Sequence, residues 1–185
     1  MFRGALQVLL FGGAAPCKND KWDRYDDVME GSFEARDVVD TLALGRALGR
    51  SLFPGAVIGL VGDLGAGKTC LTRAIAEGLG MADSRMVNSP TFTLIQEYPA
   101  RLPIYHFDAY RLRSVAEFVD LGVHEYFAGN GVCIIEWADR VETNLPSERL
   151  TIRLEVTGET SRHVTLTAAG ERYEGLLDVA KDERS

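Results

Sequence analysis

The sequence is poor in the residues from which metal-stapled and disulfide-stapled domains are built. It has three cysteines in 185 residues, Cys17, Cys70 and Cys133, and no two stand at the close spacing that a zinc site or a redox pair needs. They read as reduced bystanders in a cytoplasmic chain. Its three histidines, His106, His124 and His163, show no ligand spacing either and read as packing or surface residues. No apolar run reaches the roughly 18 residues that span a bilayer, so no membrane role is expected. Positive charge is scarce as well: 20 Lys and Arg face 27 Asp and Glu, a net charge of −7, and such a surface repels a phosphate backbone. Autonomous nucleic-acid binding is not expected. What remains is 46% hydrophobic and 25% charged, the balance of one globular domain with an ample core.

The first 31 residues stand apart. Met1 to Ala15 carries one Arg and then an apolar stretch from Ala5, about the length of a signal-peptide core, but Pro16 before Cys17 fits a cleavage site poorly. Lys18 to Gly31 is polar, of mixed charge and without a helical or strand period. Residues 1–31 are therefore expected to be a flexible leader, 32–170 the folded domain, and 171–185 a charged, frayed tail.

From Ser32 the pattern sharpens. Ser32 and Glu34 precede apolar residues at helical spacing, from Val38 and Val39 to Leu48 and Leu52, which predicts an amphipathic helix ending near Pro54-Gly55. Ala56 to Val61 is a short apolar run between glycines, as in a strand buried on both faces of a parallel sheet. Gly62-Asp63-Leu64-Gly65-Ala66-Gly67-Lys68-Thr69 follows at once, and then Leu71, Ile75 and Leu79 at four-residue intervals, with Gly78 and Gly80 as a stop.

Strand, glycine loop and helix in this order make a P-loop. Gly62, Gly65 and Gly67 free the backbone to turn its amides, with those of Ala66 and Cys70, toward phosphates, and the helix N-terminus adds a favourable dipole. Lys68 is placed to reach the β- and γ-phosphates and the Thr69 hydroxyl to ligate Mg2+. A nucleoside triphosphate with magnesium is the ligand this pattern predicts.

Further on, a hydroxyl-rich loop at Val87 to Thr93 leads into a strand, and Ile104 to Asp108 returns with alternating character, predicting a hairpin. Thr91 and Thr93 are candidate sensors of the γ-phosphate, or ordinary β-branched turn residues. Asp108 ends one strand and Glu136 ends the apolar run Gly131 to Ile135. Such a site needs a carboxylate beside the cation and another group to orient the attacking water. Glu136 is assigned to magnesium and Asp108 to the water or switch, although spacing alone leaves their roles exchangeable, so both stand as metal candidates. Ser114 to Glu117 reads as a capping box opening a short helix. Leu150 to Val156 and Arg162 to Ala168 alternate across a Gly158 turn, predicting a second hairpin.

Four stretches together resemble one family: 62–69, Asn-Ser-Pro-Thr-Phe-Thr at 88–93, His-Phe-Asp-Ala-Tyr-Arg-Leu at 106–112, and Ile-Ile-Glu-Trp-Ala at 134–138. Over about residues 32 to 168 the chain is similar to the TsaE (YjeE) family of bacterial ATPases. The resemblance implies ATP and Mg2+ as ligands and a part in making threonylcarbamoyladenosine in tRNA. That part is played on a pair of TsaB-like and TsaD-like subunits, one of which performs the transfer, so tRNA is met indirectly. It also implies Lys68 and Thr69 as phosphate and magnesium ligands, Glu136 on the magnesium side, and Asp108, Thr91 and Thr93 as switch or catalytic residues. Trp137 is implied as a neighbour of the site, and Arg162, which stands where the family often has a basic residue, is a candidate nucleotide-binding residue that, with the first helix, could contact the adenine. Cys70 replaces a common Thr and Ala109 a common Leu.

Rival readings are a small-molecule kinase, which needs an acceptor pocket and an arginine-bearing lid, and a subunit in which ATP is only a structural ligand. A GTP switch is disfavoured, since no Asn-Lys-x-Asp segment occurs. The expected fold is a single α/β domain of the P-loop type, three-layered, with a mixed, partly parallel central sheet and antiparallel hairpins. Its ligand belongs at the carboxyl end of the first parallel strand.

Overall fold

The computed structural model describes residues 21–25 and 28–182. The expected leader at residues 1–20 lies outside them. Eight strands form one sheet in the order β1-β2-β8-β7-β3-β6-β5-β4. The strands are β1 (Lys21–Tyr25), β2 (Val28–Ala35), β3 (Val57–Val61), β4 (Ile95–Tyr98), β5 (Ile104–Asp108), β6 (Val132–Glu136), β7 (Arg149–Val156) and β8 (Arg162–Ala169). β7, β3, β6 and β5 run parallel to their neighbours within the centre, while β1-β2, β2-β8, β7-β8 and β4-β5 are antiparallel. The sheet is thus mixed, and both expected hairpins are present.

Helices α1 (Val38–Ser51), α2 (Lys68–Gly78) and α5 (Glu171–Asp182) cover one face. The short helices α3 (Val115–Asp120) and α4 (Val123–Phe127), with a 3-10 segment at Ala138–Asn144, cover the other. β3 is buried at all five positions because it is covered on both sides, so its sequence is continuously apolar rather than alternating. Ile58 and Leu60 face the first layer with Leu48, Leu71 and Ile75, while Val57 and Val61 face the second. Each such fully buried aliphatic contributes about 1.5–3 kcal/mol.

Three boundaries differ from the sequence expectation. The segment from Ser32 is not a helix start: Ser32 to Ala35 is the end of β2, with Phe33 and Ala35 buried and paired to Val164 and Arg162. The helix begins at Val38, because Asp37 Oδ1 accepts from the amides of Val39 (2.8 Å) and Asp40 (3.1 Å) and satisfies two otherwise orphaned donors. Residues 21–25 and 28–31, read as leader, are strand; their backbone pairs with neighbours, so a segment without sequence periodicity is held by the ladder. The expected frayed tail is helix α5 through Asp182. Its Tyr173, Leu176, Leu177 and Ala180 are buried, and Val57 N–H donates to Tyr173 Oη at 2.9 Å.

The capping box of α3 forms with a shift. Ser114 Oγ accepts from Glu117 N–H at 3.4 Å, but Glu117 Oε2 reaches back to the amide of Arg113, at 3.0 Å. Gly78 closes α2 as expected, yet it does more. A Cβ on Gly78 would collide with Arg46 O, and one on Gly49 with Ile75 O and Gly78 Cα, so these glycines let α1 and α2 cross backbone to backbone. That crossing fixes the helix whose first turn begins the site.

Candidate functional site

The carboxyl ends of β3, β5 and β6 open on one cavity of about 340 Å³, on the α2 side of the sheet. The loop 62–67 leaves β3 and enters α2 through three residues of positive φ: Gly62 at 149°, Gly65 at 81° and Gly67 at 111°. A side chain at Gly62 would also strike the carbonyl of Leu154. Gly65, Gly67, Lys68, Thr69 and Cys70 line the cavity; Gly62 and Ala66 are not part of its lining.

Lys68 is buried at 5% exposure. Its ammonium donates to Gly62 O (2.6 Å) and Asp63 O (2.9 Å) and lies 3.7 Å from the centre of the Trp137 ring. Burial pulls its pKa below the ordinary lysine value, and the charges of Glu136, Asp108, Asp139 and Asp63 oppose that pull. An unattached anion entering the cavity meets a cation already stripped of much of its water.

Parallel pairing sets Asp108 of β5 beside Glu136 of β6. The two acids nevertheless have different partners. Glu136 Oε1 accepts from Thr69 Oγ1 at 2.8 Å and meets His106 Nε2 at 2.9 Å, and Oε2 lies 3.1 Å from Thr69 Oγ1. Asp108 Oδ2 accepts from Thr91 Oγ1 at 2.7 Å and from Ser89 Oγ, and its Oδ1 accepts from Tyr110 N–H at 2.8 Å. One carboxylate is tied to the start of α2, the other to the hydroxyl loop.

That loop is strapped at its base too. Arg73 of α2 donates from Nε to Val87 O (2.7 Å) and from Nη2 to Asn88 Oδ1 (3.2 Å). Pro90 O accepts from Leu94 N–H at 2.6 Å, with Leu94 at φ 66°, and Asp108 N–H donates to Leu94 O at 3.1 Å. A non-glycine residue held in the left-handed region marks a loop whose shape is set by its contacts.

Of the residues singled out from sequence, Lys68, Thr69, Cys70, Gly65, Gly67, Thr91, Asp108, Glu136 and Trp137 meet at this cavity. Thr93 does not: it is exposed and is not among the lining residues. Arg162 lies behind the loop instead of in the cavity, donating from Nε to Ala66 O (2.8 Å) and from Nη2 to Gly65 O (3.4 Å). It braces the peptides whose other side faces the cavity.

Sequence reasoning passed over Ser89, Tyr110 and His106. Ser89 and Thr91 share a hydroxyl contact at 2.8 Å, which the Ser-Pro-Thr run hinted at. Tyr110 stacks on Trp137 with ring centroids 4.9 Å apart. His106 was read as packing, but it stands two residues before Asp108 and hence on the same face of the strand, the signal that places it here.

A hydroxyl and two carboxylates are a hard oxygen set that fits Mg2+. Among the described residues no group of three or more His, Cys, Asp and Glu forms a metal cage. No helix among the described residues is long and apolar enough to cross a membrane.

The family model described as "Threonylcarbamoyl adenosine biosynthesis protein TsaE" matches residues 35–164, which contain every element that lines the cavity. The tRNA threonylcarbamoyladenosine biosynthesis protein TsaE of Bacillus subtilis is 49% identical over 140 residues, covering 75% of this chain and 86% of that protein. The protein of the same name from Treponema pallidum is 44% identical over 132 residues, 71% of this chain and 96% of its own. Among solved structures, the crystal structure of Bacillus subtilis YdiB superposes with a TM-score of 0.72 at 40% identity, over 85% of this chain and 98% of that one.

Proposed function

This chain belongs to the TsaE family of threonylcarbamoyl adenosine biosynthesis proteins, and on that premise we propose that it binds ATP with Mg2+ and hydrolyses the nucleotide in support of tRNA threonylcarbamoyladenosine formation. It does so in the cytoplasm, docked on a TsaB-like and TsaD-like pair, one member of which performs the transfer.

The observation that carries this reading is the convergence of Lys68, Thr69, Asp108 and Glu136 on a single cavity at the mouth of a glycine loop. Amides of the loop and the Lys68 ammonium receive the β- and γ-phosphates. Thr69 and Glu136 hold the cation, an assignment favoured by the 2.8 Å contact between them. Magnesium, when bound, screens the phosphate oxygens and stabilises the charge that develops on them. Asp108 and the Ser89 and Thr91 hydroxyls form the switch and orient the attacking water.

Every oxygen of Asp108 is engaged by the loop or by Tyr110 N–H. Both loop hydroxyls sit on Oδ2, so a partner that shifts the loop frees that oxygen for the attacking water, and turnover is expected to be slower in the isolated chain than in the complex. A kinase reading lacks an arginine-bearing lid, since Thr91 to Tyr98 contains no arginine.

The test combines binding and association. The purified chain is titrated with ATP and Mg2+, and is then mixed with the two transferase subunits with and without them. Association that depends on nucleotide is expected, and failure to associate under either condition removes the tRNA-modification reading. Lys68→Ala is expected to abolish turnover and modification. If modification survives it, ATP is a structural ligand and hydrolysis is dispensable.

A further inference from the structure

A histidine ring fully out of solvent lies in the apolar layer directly beneath the cavity. His106 has 0% exposure and points to the face that carries Ile104 and Asp108. Burying a polar ring there is costly unless it is hydrogen-bonded, and an aliphatic residue would fill the same layer without that cost. Of its two nitrogens, Nε2 is 2.9 Å from Glu136 Oε1, whereas Nδ1 is, among the described residues, the buried side-chain atom without a hydrogen-bond partner. A carboxylate only accepts, so Nε2 is the donor in this contact and Nδ1 is left without a partner. The Tyr98 ring, with its centroid 6.4 Å away, closes the other side.

We propose that His106 is a positioning residue that holds Glu136 in the orientation required for Thr69 and a divalent cation. The inference rests on the ATP and Mg2+ reading above. Thr69 Oγ1 lies 2.8 Å from Oε1 and 3.1 Å from Oε2, and His106 Nε2 adds a second donor on Oε1 from the adjacent strand, so the carboxylate of this cavity-lining residue is fixed in rotation. Without the His106 bond the carboxylate swings about its terminal torsion, which is otherwise broad, and the cation site loses its preset geometry. Groups that hold a metal-ligating carboxylate or imidazole typically tune affinity about 10–100-fold.

Four full-length proteins test this: the unaltered chain, His106→Leu, His106→Gln and His106→Asn. The Gln amide nitrogen reaches the place of Nε2, while that of Asn ends one carbon short. Two quantities are measured: the Mg2+ concentration giving half-maximal ATP hydrolysis, and ADP affinity by calorimetry across Mg2+ concentrations and in EDTA. Leu and Asn are expected to need about 10–100 times more Mg2+ in both measurements, with ADP affinity in EDTA unchanged, and Gln to restore most of the loss. Gln no better than Asn, or all variants matching the unaltered chain, overturns the proposal. If the Leu variant does not fold, the Gln and Asn pair decides alone. An unaltered chain that binds no nucleotide removes the proposed function and this inference together, whereas one that binds with Mg2+ while Gln and Asn behave alike removes the inference only.

Discussion

Asp108 and Cys133 show how far one position's surroundings set its chemistry. Asp108 ends β5 under three donors and a hydroxyl loop, so its carboxylate is held in place before any nucleotide arrives. Asp108→Asn keeps the shape and most of these contacts but loses the base; kcat is expected to fall by about 10²–10⁴ with KM for ATP little changed, read from steady-state ATPase kinetics. Cys133, the second residue of β6, is 1% exposed, and burial pushes its thiol up to about 12. It should therefore resist thiol reagents in the folded chain. The unfolded thiol ionises near its ordinary value, so the folded state retains a proton that the unfolded state releases. Stability is full below about pH 9 and falls as pH rises toward 12, by up to about 1.4 kcal/mol per pH unit from this group. Cys133→Ala is expected to flatten that alkaline decline, measured as urea midpoints across pH.

Among elements, the contact between α1 and α2 and the docking of α5 carry the clearest expectations. Gly49→Ala places a methyl against Ile75 O and Gly78 Cα, both backbone atoms that cannot rotate away. A loss of about 1–3 kcal/mol is expected in denaturant unfolding, together with weaker nucleotide binding, because α2 carries Lys68 and Thr69 at its start. Tyr173→Phe removes the acceptor of Val57 N–H within the core. Stranding that amide is expected to cost about 1–3 kcal/mol, and it would show the C-terminal helix to be part of the cooperative unit. The sequence hid this helix because its apolar residues, Tyr173, Leu176, Leu177 and Ala180, are diluted by Arg172, Glu174, Gly175 and Asp178, and the terminal charges dominate a local reading. It hid β2 for another reason. Alternation in Val28–Ala35 rests on small residues such as Gly31, Ser32 and Ala35, and the ladders to β1 and β8 supply their pairing.

For the molecule as a whole, legibility followed the range of the interactions concerned. The P-loop, β3 and both hairpins are written in contiguous residues, since turns, glycine loops and buried strands are local solutions to local constraints. The pairing of Glu136 with Thr69 and of Asp108 with Ser89 and Thr91 joins segments many residues apart, which the registers of β6 on β3 and of β4 on β5 bring together. For His106 the spacing was visible but its meaning was not, because period two puts it under Asp108 only if the strand is known. The same long reach governs how the chain comes into being. β2 precedes the central strands in the chain, yet its inner neighbour in the sheet is β8, which follows all of them. During translation the edge of β2 that will receive β8 therefore waits open while the central strands assemble, and closure must follow the emergence of residues 162–169. Chains halted at Val156 are expected to remain readily cleaved by protease, whereas those extended past Ala169 become resistant. For a ribosome, a strand made after the centre of the sheet is the one that lets β2, made before it, find its place.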